Sequence, residues 1–146
     1  MNLILNKAEK YCFHILNKGY CNELPFHNIE HTRKVVANVK LISKELSLSD
    51  KDSELSQIAA WFHDTGFSVK YKEHEQASKI IAKEFLFNNQ IDIDKICNCI
   101  DATRMPQSPT TRIAEVLCDA DLFHISTEHF FIENSYLEEN GKYFVI

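Results

Sequence analysis

Residues 55–66 read L-S-Q-I-A-A-W-F-H-D-T-G. Leu55, Ile58, Ala59 and Phe62 recur at helical spacing, which predicts a helix over residues 50–64 with these side chains facing a core. The stretch ends in two ionisable residues, His63 and Asp64, before Gly66, where the helix is expected to stop. His63 continues the line of Leu55 and Ala59 onto the core side, and Asp64 lies one step around, beside it. Burying such groups is costly unless they are paired or bind a metal. Either the chain escapes to solvent here, or the two residues have a task.

The flanking sequence is helical by the same criterion. A first helix is expected over 2–18, stopping at Gly19, with His14 on its polar side. After a loop containing Pro25, a second runs from His27 or Asn28 to Leu46, with Val35, Val39, Ile42 and Leu46 inward. The polar run L-S-L-S-D-K-D-S then offers several N-caps for the helix at 50–64. A fourth helix is expected over 73–89 on Ala77, Ile80, Ile81 and Phe85. A fifth, over 92–103, is ended by M-P-Q-S-P. A sixth, over 111–124, turns Ile113, Val116, Leu117 and Ala120 inward, and a last one starts near Ser126 and fades by Gly141. The chain has 146 residues with only three Gly and three Pro. That size suits one domain with a real core, and so little punctuation disfavours a many-stranded sandwich. The expected fold is all-α, a single compact domain of six to seven helices covering residues 1–146.

Composition narrows the function. Net charge is −5 and no Lys or Arg block stands out, so no nucleic-acid surface is indicated. No apolar run reaches the ~20 residues that span a bilayer, and the start lacks a secretory pattern. The five cysteines include C-N-C at 97–99, which is neither a redox nor a zinc-knuckle spacing. Reduced thiols in a cytoplasmic protein are expected.

Inward-facing polar residues recur on three helices. His27 and His31 in H-N-I-E-H are four apart, and the same face continues through Val35 and Val39. His63 and Asp64 come next. In C-D-A-D-L, Asp119 shares a side with Arg112 and Glu115, whereas Asp121 lines up with Ile113 and Leu117. His74 lines up with Ala77, Ile81 and Phe85. Any one of these reads plainly as a hydrogen-bonded core histidine or a cap. Together they would leave several buried polar groups unsatisfied, at about 1–3 kcal/mol each. A shared divalent cation satisfies several at once, and imidazole with carboxylate suits Zn, Mn, Fe, Co or Ni, or Mg with added waters.

The ordered set His31, then His63-Asp64, then Asp121 resembles the HD-domain superfamily of metal-dependent phosphohydrolases, over residues from about 10 to 130. F-H-N-I-E-H is in addition similar to the H-N-x-x-H signature of the cyclic nucleotide phosphodiesterases. The resemblance implies His31, His63, Asp64 and Asp121 as metal ligands. It also implies His27 as the proton donor to the leaving oxygen and Asp64 as acceptor of the attacking water's proton. The substrate it implies is a small phosphate mono- or diester, nucleotide-like; Arg104, His74 and Lys34 are the chain's own candidates to hold its phosphate, with Arg104 favoured because it sits at a helix end beside the Pro-marked loop. A nucleotidase or nucleotide pyrophosphohydrolase is the alternative on the same site, and a degenerate domain serving as a nucleotide sensor or interaction module is the alternative of another class. Thr103 and Arg104 stand where binuclear relatives carry a further histidine, which speaks against a full two-metal site. Only 25 residues follow Asp121. Either the member is shortened, or a homodimer completes its pocket.

Overall fold

The computed structural model describes residues 3–18 and 28–123. Within them the chain forms six α-helices and one 3-10 turn: α1 (Leu3–Leu16), α2 (Ile29–Glu45), α3 (Asp50–Phe62), the 3-10 turn Thr65–Ser68, α4 (His74–Leu86), α5 (Ile93–Ala102) and α6 (Arg112–Asp121). The fold is all-α, as the spacing predicts. Among the described residues, no helix is long and apolar enough to cross a membrane. The loop around Pro25, the stop at Gly19, Cys21 and the helix expected near Ser126 lie outside the described residues.

α3 is the axis of the fold. From Leu55 to Phe62 every residue but Gln57 is buried, so the helix is covered on nearly all sides rather than along one stripe. It packs against α1, α2, α5 and α6. The small residues Ser56, Ala59 and Ala60 allow these approaches, and the Ser56 hydroxyl donates to the Ile113 carbonyl of α6 at 3.2 Å. Phe62 and Phe85 meet at 5.3 Å between ring centroids, and Tyr11 of α1 packs against Phe85 at 4.8 Å with the rings tilted by 38°.

Four helices start on a side-chain cap. Asn28, Ser49, Asp92 and Thr111 each accept from a backbone N–H three residues on. Such caps satisfy donors that the first turn leaves open. The Arg112 guanidinium does the converse for α2, donating to the Leu46 carbonyl at 2.8 Å.

Three expectations change. α3 ends at Phe62, with His63 as its C-cap, and Gly66 falls inside the 3-10 turn. The glycine is needed for proximity: a Cβ there would collide with the His74 carbonyl and come within 2.8 Å of the Ser78 nitrogen. Gly66 N–H instead donates to Ser78 Oγ at 2.8 Å, and Ser78 Oγ donates to the His63 carbonyl at 2.9 Å. The turn is thereby clamped onto α4. Second, Ile80 faces solvent, while the buried side of α4 carries Ala77, Ser78, Ala82 and Leu86. The close approach of α4 to the 3-10 turn selects small residues there over the large apolar ones that periodicity favours. Third, Leu46, at the C-cap of α2, is exposed, so the stripe of α2 closes before it.

Candidate metal centre

His31 sits on the first turn of α2, where the Asn28 cap sets the start of the helix. His63 keeps helical dihedrals one residue beyond α3, so its side chain stays on the core face. Its Nδ1–H donates to the Ala60 carbonyl at 2.6 Å. That bond satisfies one of the carbonyls orphaned at the helix end and directs Nε2 away from α3. Asp64 follows with a non-helical backbone (φ −108°), which swings its carboxylate beside the ring. Asp121 is the last residue of α6.

These four side chains converge. Asp121 Oδ1 lies 3.0 Å from His31 Nε2 and 3.3 Å from His63 Nε2. Asp64 Oδ2 lies 3.7 Å from His31 Nε2 and 3.5 Å from His63 Nε2. One donor atom from each of His31, His63 and Asp64 falls within 4.8 Å of the others. His63 is 1% exposed, and its Nε2 makes no hydrogen bond despite two carboxylate oxygens nearby.

Burial and the neighbouring charges act on the two ends of the cluster in opposite directions. Burial opposes a charge on His63, but the Asp64 and Asp121 carboxylates outweigh it and push its pKa up to about 9. Burial likewise opposes ionisation of Asp121, and His63 and His31 overcome it, holding the carboxyl well below the usual range. The two carboxylates thus favour positive charge at the point that His63 Nε2 faces. A buried nitrogen aimed at two carboxylates, with no hydrogen bond of its own, fits a divalent ion held by His31, His63, Asp64 and Asp121. Imidazole and carboxylate together are the donors that such ions prefer.

His74 joins the cluster from α4. Its Nε2 donates to Asp64 Oδ1 at 3.2 Å, and its ring stacks on Phe67 at 3.8 Å, 16° from parallel. Its Nδ1 faces the buried Glu75 carboxylate at 3.5 Å. The imidazole expected to hold substrate is thus placed against Asp64. Two residues absent from the sequence reading appear here. Glu75 is one. Gln107 is the other, with Nε2 donating to Asp121 Oδ2 at 3.1 Å. The P-Q-S-P run marked the loop, but no spacing rule singles out its glutamine. Arg104, expected to hold phosphate, is exposed, and so is Lys34. The loop contributes Gln107 to the cluster. His27 lies outside the described residues.

The four described cysteines, Cys12, Cys97, Cys99 and Cys118, are buried and unbridged. Burial pushes the thiols of Cys99 and Cys118 up to about 12 and raises those of Cys12 and Cys97. None is prepared as a nucleophile.

No curated protein and no solved structure matches the chain. A family model does, the HD domain, over residues 28–126, a span that includes all four converging side chains. The chain belongs to the HD domain family.

Proposed function

We propose that the chain is a metal-dependent phosphohydrolase that cleaves a small, nucleotide-like phosphate mono- or diester. The observation that carries this reading is the convergence of His31, His63, Asp64 and Asp121 around a buried His63 Nε2 without a hydrogen bond. Family membership supports it. A divalent cation, when bound, supplies the Lewis acidity that lets water attack near neutral pH and offsets charge on the phosphoryl oxygens.

The chain's own residues do the rest. Asp64 would accept the attacking water's proton as the new P–O bond forms. His74 holds the other Asp64 oxygen, so the acceptor keeps one orientation. As the ester P–O bond breaks, the leaving oxygen takes a proton from His27, the donor that the H-N-x-x-H resemblance implies. Asp121 is the more exposed of the two carboxylates, at 17% for its side chain against 5% for Asp64. That greater exposure favours entry of substrate on the α6 side, where Gln107 meets Asp121. Lys34 and Arg104, both exposed, are offered as long-range attraction for the anionic substrate.

The test is a screen of metal-stripped protein, reloaded with Mg, Mn, Fe, Co, Ni or Zn, against nucleoside monophosphates, cyclic diesters and nucleoside triphosphates. Activity is expected with at least one ion and lost in His63→Ala and Asp64→Ala. Activity that survives both changes refutes the assignment. Preference among the esters separates diesterase, nucleotidase and pyrophosphohydrolase. Tight cation binding with no turnover of any ester turns the reading to a nucleotide sensor.

A further inference from the structure

Both site carboxylates divide their oxygens the same way. Asp64 Oδ2 faces His31 Nε2 and His63 Nε2, while Oδ1 accepts from His74. Asp121 Oδ1 faces the same two nitrogens, while Oδ2 accepts from Gln107. Each acid thus turns one oxygen to the centre and has the other held from outside.

Asp121 has the greater need of such a hold. It ends a ten-residue helix, where fraying is easiest and the helix dipole disfavours a negative charge. A carboxylate's terminal torsion is broad, and the contact with His31, made at one oxygen, leaves Asp121 able to exchange which oxygen it presents. Gln107 is well placed to prevent this. Pro106 and Pro109 flank it and restrict the loop, and the next residue's N–H, from Ser108, donates to the Ala102 carbonyl at 3.2 Å. An amide also suits the task electrostatically. It donates without a positive charge that would compete with a cation a few ångströms away.

We propose that Gln107 is a positioning residue: its side-chain amide fixes Asp121 so that Oδ1 alone is turned to the cation. The inference rests on the metal-site reading above and adds to it a residue that neither the sequence spacing nor the family match assigns.

The test compares metal-stripped wild type with Gln107→Leu, which keeps volume and removes the donor. Mn2+ affinity is measured by calorimetry, Co2+ coordination by visible absorption, and the metal-free melting temperature by circular dichroism. Mn2+ binding is expected to weaken about 10- to 100-fold, the usual effect of losing a partner that orients a ligand. The Co2+ bands of the saturated variant are expected to change. The metal-free melting temperature is expected to stay within about 4 °C, since a partly exposed loop contact is lost. Unchanged Mn2+ affinity with unchanged Co2+ bands overturns the proposal. So does weaker binding accompanied by a larger melting loss, which marks general loosening. A wild type that binds neither ion overturns the metal-site reading and this inference with it, whereas a binding wild type beside an unaffected variant removes Gln107 alone.

Discussion

The two walls of the site are built differently. On one, Asp64 is buried, and its partner His74 is wedged by stacking on Phe67 and by the contact of Gly66 with α4. On the other, Asp121 ends a helix at the more exposed edge, and its partner Gln107 comes from a loop. The outer oxygen of each carboxylate is held by one hydrogen bond, from a packed histidine on one wall and from a loop glutamine on the other. A packed wall gives a fixed reference for chemistry, and a hydrogen-bonded rim leaves room for a ligand to arrive. The two should also fail differently: damage to the packed wall costs stability and function together, and damage to the rim costs function first.

The largest expected effect strikes the packed wall at its charge. Asp64→Asn keeps the shape but removes the negative charge that a cation needs there. It should lower cation affinity by more than about 100-fold, beyond what an outer partner contributes. Calorimetry on metal-stripped protein measures it, and a change under tenfold would remove Asp64 from the site. Next comes Gly66→Ala, which forces the 3-10 turn away from the His74 carbonyl. It should destabilise the fold by about 1–3 kcal/mol in urea melts, as overpacking does. It should also weaken cation binding, because His74 moves relative to Asp64. An unaffected melt would mean that the clamp is looser than the distances indicate.

The pH dependence of the metal-free chain is shared by both walls. His63 has its pKa raised from 6.5 to about 9 by the two carboxylates, so the folded state holds its proton more tightly than the unfolded state. That stability is fully present below about pH 6.5 and is lost as pH rises towards about 9. Asp121 is shifted the other way, so its contribution is present above the ordinary carboxylate range and fades as pH falls below it. Denaturant midpoints across pH measure both, and flat stability from pH 6 to 9 would contradict the His63 shift. Mn2+ affinity should rise over the same window, because the ion displaces the His63 proton. The smallest effect tests backbone strain beside the packed wall. Glu73, just before α4, has φ 56°. Glu73→Gly should stabilise by roughly 0.5–1 kcal/mol, since glycine adopts that region freely.

Much of the site was legible because its residues lie on helices. The lines Leu55–Ala59–His63 and Ile113–Leu117–Asp121 follow from periodicity, and the structure turns both ends toward one point. Legibility stopped where position depends on a neighbour outside the helix. Gly66 reads as a stop signal, and only the approach of α4 shows that its missing side chain matters. Ile80 reads as core because it is apolar, yet the tight seam against the 3-10 turn takes Ala77, Ser78 and Ala82. Gln107 is a neutral residue in a loop, and its contact with Asp121 depends on how that loop folds back. Arg104 carries the charge that suggests phosphate, but its exposure leaves it out of the cluster.

The bond from His63 to Ala60 spans three residues, whereas His31 and Asp121 meet across ninety. His63 is therefore oriented by a single helical turn with Asp64 next to it in the chain, and His31 and Asp121 arrive only when distant segments have docked. An ion that needs all of them binds the finished fold and not its fragments. At 100 times its dissociation constant it adds about 2.7 kcal/mol to stability by mass action alone. A cation held by all four residues would work as a staple between α2, α3 and α6, so chelation should then lower the unfolding temperature.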